Sequence, residues 1–392
     1  MTVINAFAEE VVSAIRSVVG TGQVALHEPS FEGNEWLYLR NCLDTTFVSS
    51  VGQYVTQFEN DLSKFTGAKH VVAVVNGTAA LHVALKVAGV QAGDEVLLPA
   101  LNFVAAANAV TYCFARPHFV DSEEITYGID VNKLRQYLIN QTDVRGGYCI
   151  NRSTGNVIRA IVPMHVFGHP CDLEGILTLA NEFNLAVIED AAEAIGSSYK
   201  GGHVGTFGLL GTLSFNGNKT ITTGGGGAIL TNDEELAKLV RHLTTTSRIP
   251  HEWELSHDLV GFNYRMPNLN AALGCAQLEQ LPNKLFLKRK LYDLYREAFS
   301  GFNGLKLTCE PANSTSNYWL HSINLHETHE IQRDEILRAT NSTSLMTRPV
   351  WTLMHKLKPF EGCTKMNLST AESLSRRLIN IPSSPDLVAS NS

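Results

Sequence analysis

One lysine in this 392-residue chain has a sequence context that suits chemistry. Lys219 lies between small, flexible residues in the segment FNGNKTITTGGGG, residues 215–227, which ends in four consecutive glycines. A phosphate-binding loop requires Gly and Lys side by side in the pattern G-x-x-x-x-G-K-S/T, but Asn218 separates Gly217 from Lys219. The dinucleotide fingerprint does not fit either, because the glycines lead into AILTN, which is typical of a strand rather than a helix. Two interpretations remain open: a reactive amine, or a surface lysine before a glycine turn.

Four other features could form a binding site together with this lysine. The segment NGT, residues 76–78, joins a strand pattern to a helix pattern, so its N–H groups and hydroxyl could hold a phosphate, or it could be a simple helix cap. Phe103 follows the strand pattern EVLLPA, where its ring could stack on a planar ligand or pack in the core. Asp190 ends the apolar run LAVIED, where a carboxylate is costly unless it meets a cation or several donors. Ser214 precedes the lysine by five residues.

The elements that must position these residues alternate along the chain. Between about residues 70 and 231, apolar runs of strand length alternate with helical periods, which predicts an α/β fold with a mostly parallel sheet. Strands are predicted at residues 71–75, 95–100, 116–122, 158–166, 185–190, 212–215 and 227–232. Helices are predicted at residues 78–90, 104–114, 130–141 and 172–184, and the polar segment 143–156 is predicted to be a loop. Ligands in such a sheet bind at the carboxyl ends of the strands, where the candidate residues lie.

The C-terminal part of the chain indicates a second, smaller unit. A long helical pattern from about Pro267 to Ser300 contains Pro282, which predicts a kink. After it, residues 305–311 and 318–325 favour strands, and residues 330–340 and 368–379 favour helices. We therefore predict an N-terminal arm and large domain at residues 1–265, and a connector helix with a small α+β domain at residues 266–392.

Composition argues against several classes of protein. Charged residues make up 18% of the chain and the net charge is −7, so the basic excess of a nucleic-acid-binding protein is missing. No apolar run reaches the length of a membrane span, and the start of the chain lacks the basic and apolar regions of a signal peptide. The seven cysteines are scattered without C-x-x-C pairs, which indicates neither a disulfide framework nor a metal site. We expect a cytoplasmic enzyme without nucleic-acid or membrane partners.

Together, a phosphate-binding turn, a stacking ring, a buried acid and a loop lysine are the parts of a pyridoxal phosphate site. The chain also resembles the DegT/DnrJ/EryC1/StrS family of sugar aminotransferases, which have the type I fold of pyridoxal phosphate enzymes. The resemblance covers nearly the whole chain and is carried, in family order, by NGTAALHVAL, GDEVLLPALNFVAAANAV, VIEDAAEAIGSSY, SFNGNKTITTGGGGAILTN and GFNYRMPNLNAALGCAQLEQL. The segment TRPVWTLMHKL, residues 347–357, resembles the branch acting on nucleotide-linked 4-keto-6-deoxy amino sugars, which includes enzymes of legionaminic acid synthesis.

The resemblance implies a role for each candidate residue. Lys219 would form the Schiff base with the cofactor, Asp190 would meet its pyridine nitrogen, and Phe103 would stack on its ring. Glu193 would lie near the phenolic oxygen of the cofactor, where many relatives carry glutamine. The phosphate group would be held by Gly77, Thr78, Ser214 and, from a second subunit, Asn263. A homodimer with shared active sites is therefore implied.

The implied reaction transfers the amino group of L-glutamate to C4 of a nucleotide-linked 4-keto-6-deoxy sugar, with UDP as the expected nucleotide. The product would be a 4-amino-4,6-dideoxy sugar nucleotide for surface polysaccharide or nonulosonic acid synthesis. Arg348 and Trp351 would line the sugar-nucleotide entrance, or would be a surface ion pair beside a packed aromatic ring. A sugar dehydratase of the same family is the alternative enzyme, although dehydratases typically replace the lysine with histidine. A noncatalytic cofactor-binding regulator is the other alternative.

Overall fold

The computed structural model describes residues 6–389. The helices are α1 (Ala6–Val19), α2 (Glu35–Asp44), α3 (Gln53–Thr66), α4 (Gly77–Val87), α5 (Val104–Tyr112), α6 (Val131–Gln141), α7 (Leu173–Glu182), α8 (Glu234–Thr244), α9 (Asn268–Ala298), α10 (Arg333–Ser342), α11 (Ser369–Arg377) and α12 (Asp386–Ala389). The strands are β1 (His70–Val74), β2 (Glu95–Pro99), β3 (Arg116–Val120), β4 (Thr142–Arg145), β5 (Tyr148–Asn151), β6 (Val157–Ile161), β7 (Ala186–Asp190), β8 (Ser198–Tyr199), β9 (Gly202–His203), β10 (Leu210–Ser214), β11 (Gly227–Thr231), β12 (Leu305–Leu307), β13 (Ser314–Thr315), β14 (His321–Leu325), β15 (Arg348–Pro349) and β16 (Leu378–Ile381). Short 3₁₀ helices lie at Val166–Gly168, Glu327–Gln332, Met354–Lys356 and Lys358–Phe360.

The larger sheet forms the centre of the fold. Its strand order is β1-β11-β10-β7-β6-β2-β3. The strands from β10 to β3 pair in parallel, whereas β11 runs antiparallel to both of its neighbours. These strands are almost wholly buried because helices cover both faces of a parallel sheet. The predicted α/β class and the mostly parallel sheet are confirmed.

Polar caps define where several helices of this region begin. The side chains of Asn76, Asp130, Asp172 and Asp233 each accept a backbone N–H at the start of the helix that follows. Such a cap satisfies one of the amide groups that a helix start leaves without an intrahelical partner. Only two residues separate β1 from α4 and β11 from α8, so these two strands end close to the starts of the helices that follow them.

The prediction of a loop at residues 143–156 is wrong, because β4 and β5 form an antiparallel hairpin there. Strand β5 also pairs with β6, so the hairpin extends the larger sheet. Its polar residues surround Glu95, a buried carboxylate that accepts hydrogen bonds from Asn151 (2.9 Å), Thr154 (2.6 Å) and Asn156 (3.2 Å). The segment looks like a loop in sequence because Glu95, which its polar residues contact, lies more than 40 residues earlier in the chain.

A second core lies around the smaller sheet, whose strand order is β12-β14-β16-β15. Helix α9 continues through Pro282 as one helix of 31 residues and contributes Leu291 and Tyr295 to this core. Strand β16 follows directly after α11 and was not predicted as a strand. A three-stranded sheet, β13-β8-β9, joins the C-terminal part of the chain to the larger region.

The first helix packs with this second core rather than with the larger one. Ala8, Val11 and Ile15 of α1 are fully buried there, beside residues of α9, α10 and the smaller sheet. The division of the chain at residue 265 stays a prediction. Helix α1 precedes this division, whereas α9, α10 and the smaller sheet, which α1 contacts, follow it. Across residues 6–389, no helix has both the length and the apolar character needed to cross a membrane.

Candidate active site

A cavity of about 310 Å³ lies at the carboxyl ends of β1, β2, β7 and β10. It brings together eight of the ten residues that the sequence predicts for the site, namely Gly77, Thr78, Phe103, Asp190, Glu193, Ser214, Lys219 and Trp351. The wall also contains eight residues that were not predicted, namely Asn76, Leu81, Ala105, Met164, Ala192, Asn216, Asn218 and Trp319. Residues that are distant in sequence meet here because parallel strands end at the same edge of the sheet.

The start of α4 forms a small cradle in the cavity wall. The side chain of Asn76 caps the helix by accepting the N–H of Ala79 at 2.7 Å. Gly77 has little room for a side chain, because a Cβ there would lie 3.0 Å from the Cβ of Ser214. The end of the glycine run is equally restricted, since a Cβ on Gly227 would lie 2.8 Å from the amide nitrogen of Gly77. Gly227 therefore lets β11 pack directly against the start of α4.

Asp190 supplies a buried carboxylate at the end of β7. Its Oδ1 accepts the backbone N–H of Ala192 at 3.2 Å. Burial raises the pKa of Asp190 above its ordinary value, and the nearby charge of Lys219 opposes that change. A carboxyl group in this setting suits a positively charged partner inside the cavity, because such a partner would offset the cost of burying the ionised form.

Lys219 extends from the loop between β10 and β11 to the carboxyl group of Glu193. Its Nζ lies 3.2 Å from Oε1 of Glu193, and the other carboxyl oxygen accepts the backbone N–H of Phe167 at 3.0 Å. Burial raises the pKa of Glu193 to about 7, while Lys219 and the Phe167 amide act in the opposite direction. The lysine is only slightly exposed to solvent, so the interpretation as a surface residue is wrong.

Aromatic rings form another part of the cavity wall. The ring of Trp319 lies against Lys219, with its centroid 3.7 Å from Nζ. The indole of Trp351 packs against Phe167 at 5.2 Å and lies 6.4 Å from Phe103, measured between ring centroids. Half of the Phe103 surface is exposed, so its ring lies free at the cavity rather than in the core.

Sequence reasoning missed Trp319 because it was read as part of a strand. Strand β14 begins two residues later, and Trp319 lies in the preceding turn. Asn317 holds that turn: its amide group donates to the carbonyl oxygens of Glu193 and Ile195, both at 2.9 Å. Ser316 and Asn317, which lie between β13 and the aromatic pair, were the available signal, because Ser and Asn favour a turn.

Comparison with known proteins agrees with this geometry. Residues 29–391 match the DegT/DnrJ/EryC1/StrS aminotransferase family. The chain belongs to this family. A GDP-perosamine synthase of Escherichia coli O157:H7 is 39% identical over 364 residues, which cover 93% of this chain and 94% of that protein. A GDP-perosamine synthase of Caulobacter vibrioides is 36% identical, with 92% and 93% covered. The crystal structure of the aminotransferase TlmJ from Streptoalloteichus hindustanus has a TM-score of 0.83 and 27% identity, with 92% of this chain and 93% of that one covered.

The chain is therefore a sugar aminotransferase that depends on pyridoxal phosphate, and the predicted enzyme class, fold and cofactor are confirmed. The cavity of this DegT/DnrJ/EryC1/StrS aminotransferase fits that cofactor. Gly77, Thr78 and Ser214 line the cavity at the start of α4, and a phosphate group binds favourably at the start of a helix. Asp190 offers a buried acid for a protonated ring nitrogen, and Lys219 offers a primary amine.

Two predicted residues lie outside the cavity wall of this aminotransferase. Asn263 is exposed and pairs through its backbone with Thr245. Arg348 is exposed on β15, where its guanidinium donates to the side-chain oxygen of Asn341 and to the carbonyl oxygen of Thr347, both at 3.1 Å. Their roles toward the cofactor and the sugar stay predictions.

Proposed function

We propose that this aminotransferase moves the amino group of L-glutamate to C4 of a UDP-linked 4-keto-6-deoxy sugar. The product is then a 4-amino-4,6-dideoxy sugar nucleotide for surface polysaccharide or nonulosonic acid synthesis. The observation that carries this proposal is that the amine of Lys219, the carboxyl group of Asp190 and the aromatic ring of Trp351 line one cavity. A lysine at this position supports amino transfer rather than dehydration. Trp351 supports the sugar assignment because it belongs to the TRPVW segment on which the resemblance to the 4-keto-sugar branch rests.

Each side chain has a task in this proposal. Pyridoxal phosphate, when bound, supplies the group that carries the amine and takes up negative charge from the reacting carbon. The amide groups at the start of α4 and the hydroxyl groups of Thr78 and Ser214 bind its phosphate. Asp190 keeps a proton on the ring nitrogen, and the amine of Lys219 moves the proton to and from the carbon that gains or loses the amino group. Phe103 stacks on the ring of the cofactor and excludes water from one of its faces.

GDP is the second candidate for the nucleotide. The two relatives described above are GDP-perosamine synthases, and they match more than nine tenths of this chain. The UDP assignment depends on a short segment of the smaller domain, whereas the GDP assignment depends on similarity along the whole chain. The two candidates share the reaction and differ only in the carrier of the sugar.

One experiment tests the reaction and the carrier together. The purified protein is incubated with ¹⁵N-labelled glutamate in three separate reactions, which contain a UDP-, a GDP- or a dTDP-linked 4-keto-6-deoxy sugar. Mass spectrometry should find ¹⁵N in the UDP-linked product, and 2-oxoglutarate should form in equal amount. Label in the GDP-linked product alone would replace UDP by GDP. Sugar products without label would contradict amino transfer and favour the dehydratase.

We also propose a homodimer in which each active site uses residues of both chains. Large apolar side chains are exposed on two segments, with Trp36 (83%) and Val51 (68%) on one and Trp253 (74%) and Val260 (89%) on the other. Large apolar side chains that are exposed together on one segment are typical of a protein interface. Val260 lies three residues before Asn263. If two copies pair at this loop, the exposed side chain of Asn263 would lie at the partner chain.

Mixed variants test the shared site. A Lys219→Ala chain and an Asn263→Ala chain are each expected to have low activity alone. In a hybrid dimer, one site combines the intact Lys219 of one chain with the intact Asn263 of the other, so part of the activity should return. Subunit exchange, shown by native mass spectrometry, without any return of activity would contradict the shared site.

We further propose a cytoplasmic location, which cell fractionation would test.

A further inference from the structure

Lys288 is a fully buried lysine on α9 whose amino group contacts three backbone carbonyl oxygens. Its Nζ lies 3.1 Å from the oxygen of Tyr318, 3.1 Å from that of Trp319 and 2.7 Å from that of Ser383. An ammonium group has three N–H bonds, so three converging acceptors match it. Burial lowers the pKa of Lys288 well below its ordinary value, because the charged ammonium form loses its contact with water inside the protein.

Two of these carbonyl groups belong to the turn that carries an active-site ring. The indole Nε1 of Trp319 donates to the backbone oxygen of Asn218 at 2.7 Å, and its ring lies 3.7 Å from Nζ of the neighbouring Lys219. Contacts thus run from Lys288 through Trp319 to the loop and the amine of Lys219. An aromatic face this close attracts the ammonium form of a lysine and shields one side of it from solvent.

We propose that Lys288 is a positioning residue, which holds Trp319 in the orientation that places its indole against the amine of Lys219. Lys288 does not touch the cavity and acts only through the turn at residues 317–320. The inference rests on the role of Lys219 given under Proposed function. It concerns the reactivity of that amine, which can be measured whatever the sugar substrate is.

Lys284 provides a matched control. It is also buried, it lies one helical turn earlier on α9, and burial lowers its pKa too. Its Nζ donates to the carbonyl oxygen of Ser30 at 3.1 Å and to Oε1 of Gln277 at 3.0 Å, so its bonds run away from Trp319. Lys284→Met therefore removes a buried amine from the same helix without removing a bond to the turn.

The test measures how fast the amine of Lys219 reacts. The full-length chain, stripped of pyridoxal phosphate, is treated with formaldehyde and cyanoborohydride, and methylation of Lys219 is followed by peptide mass spectrometry. Lys288→Met should raise the rate about fivefold, because the amine loses the attraction of the ring and gains contact with solvent. Lys284→Met should change it by less than about twofold. In the holoenzyme, Lys288→Met should lower kcat with glutamate and leave KM nearly unchanged.

Trp319→Ala keeps the proposal testable if Lys288→Met does not fold. It removes the ring and should raise the methylation rate of Lys219 by the same factor, and adding Lys288→Met should then change nothing further. A folded Lys288→Met protein, checked by circular dichroism, with the wild-type rate would overturn the proposal, and so would an unchanged rate in Trp319→Ala. If borohydride links the cofactor to another lysine, the catalytic role of Lys219 is wrong. The comparison of Lys219 methylation rates among the variants still tests the positioning role of Lys288 independently.

Discussion

Replacing Glu193 by glutamine should change how the stability of this aminotransferase depends on pH. Burial raises the pKa of Glu193 from 4.5 to about 7 in the folded chain. The unfolded chain therefore ionises this group at a lower pH than the folded chain, so ionisation costs stability as the pH rises. Below about pH 4.5 the group is protonated in both states and the cost is zero, and above about pH 7 the cost is complete. Glu193→Gln cannot ionise and should escape this cost.

The size of the effect follows from the shift. A change of about 2.5 pKa units, at about 1.4 kcal/mol per unit, corresponds to about 3 kcal/mol. The free energy of unfolding of Glu193→Gln, relative to the wild-type chain, should therefore rise by up to about 3 kcal/mol between about pH 4.5 and pH 8. The bonds of Glu193 to Lys219 and to the Phe167 amide favour its ionised form, and their contribution is already contained in the pKa of about 7.

Urea denaturation of the chain without pyridoxal phosphate, at several pH values, measures this difference. Glu174→Gln is a suitable control, because Glu174 is largely exposed and pairs with Lys200 at the surface. The control should show no comparable rise. A difference between Glu193→Gln and the wild-type chain that stays constant over the whole pH range would refute the reasoning, since Glu193 would then ionise alike in the folded and unfolded chains.

Four further outcomes are expected, three at the cavity and one at the exposed Arg348. The purified holoenzyme should absorb visible light, and borohydride should link the cofactor to Lys219; peptide mapping that places the link on another lysine would contradict this role. Asp190→Asn should keep part of its cofactor affinity but lose at least about a hundredfold in turnover, about 3 kcal/mol, because a neutral amide no longer favours the protonated ring nitrogen; near-normal turnover would make the acid structural. Trp351→Ala should raise KM for the keto sugar about tenfold, or about 1.4 kcal/mol, and leave the single-turnover reaction with glutamate unchanged in stopped-flow absorbance. Arg348→Ala in the same assay separates an entrance residue, with a similar rise in KM, from a surface residue, with none.

The predictable part of the fold lies where local pattern and burial agree. The apolar runs at residues 71–75, 95–100 and 185–190 became strands of the larger sheet, since a parallel sheet with both faces covered favours continuous apolar runs. The residues at or just after the ends of those runs lie at one edge of the sheet, which is why Asp190 and Phe103 could be assigned to one site before the fold was known.

The unpredictable part depends on partners that are distant in sequence. The hairpin β4–β5 is polar because it covers Glu95, and a local pattern contains no sign of that carboxylate. In the sequence, Lys288 looks like an ordinary charged residue of a long helix. Only the folded structure brings the carbonyl groups of the turn and of Ser383 to its amino group. In both cases a polar side chain is buried because the tertiary structure supplies its hydrogen bonds.

Two acids of one short segment differ because of what faces them. Asp190 ends β7 and receives one backbone N–H, so its other oxygen is available to a cationic ligand in the cavity. Glu193, three residues later, has both oxygens engaged, one by Lys219 and one by the amide of Phe167. An acid with a free oxygen suits the binding of a protonated ring, whereas an acid paired with a lysine in the cavity can share a proton with it. The pH dependence of Glu193→Gln and the turnover of Asp190→Asn therefore examine separate tasks of one segment.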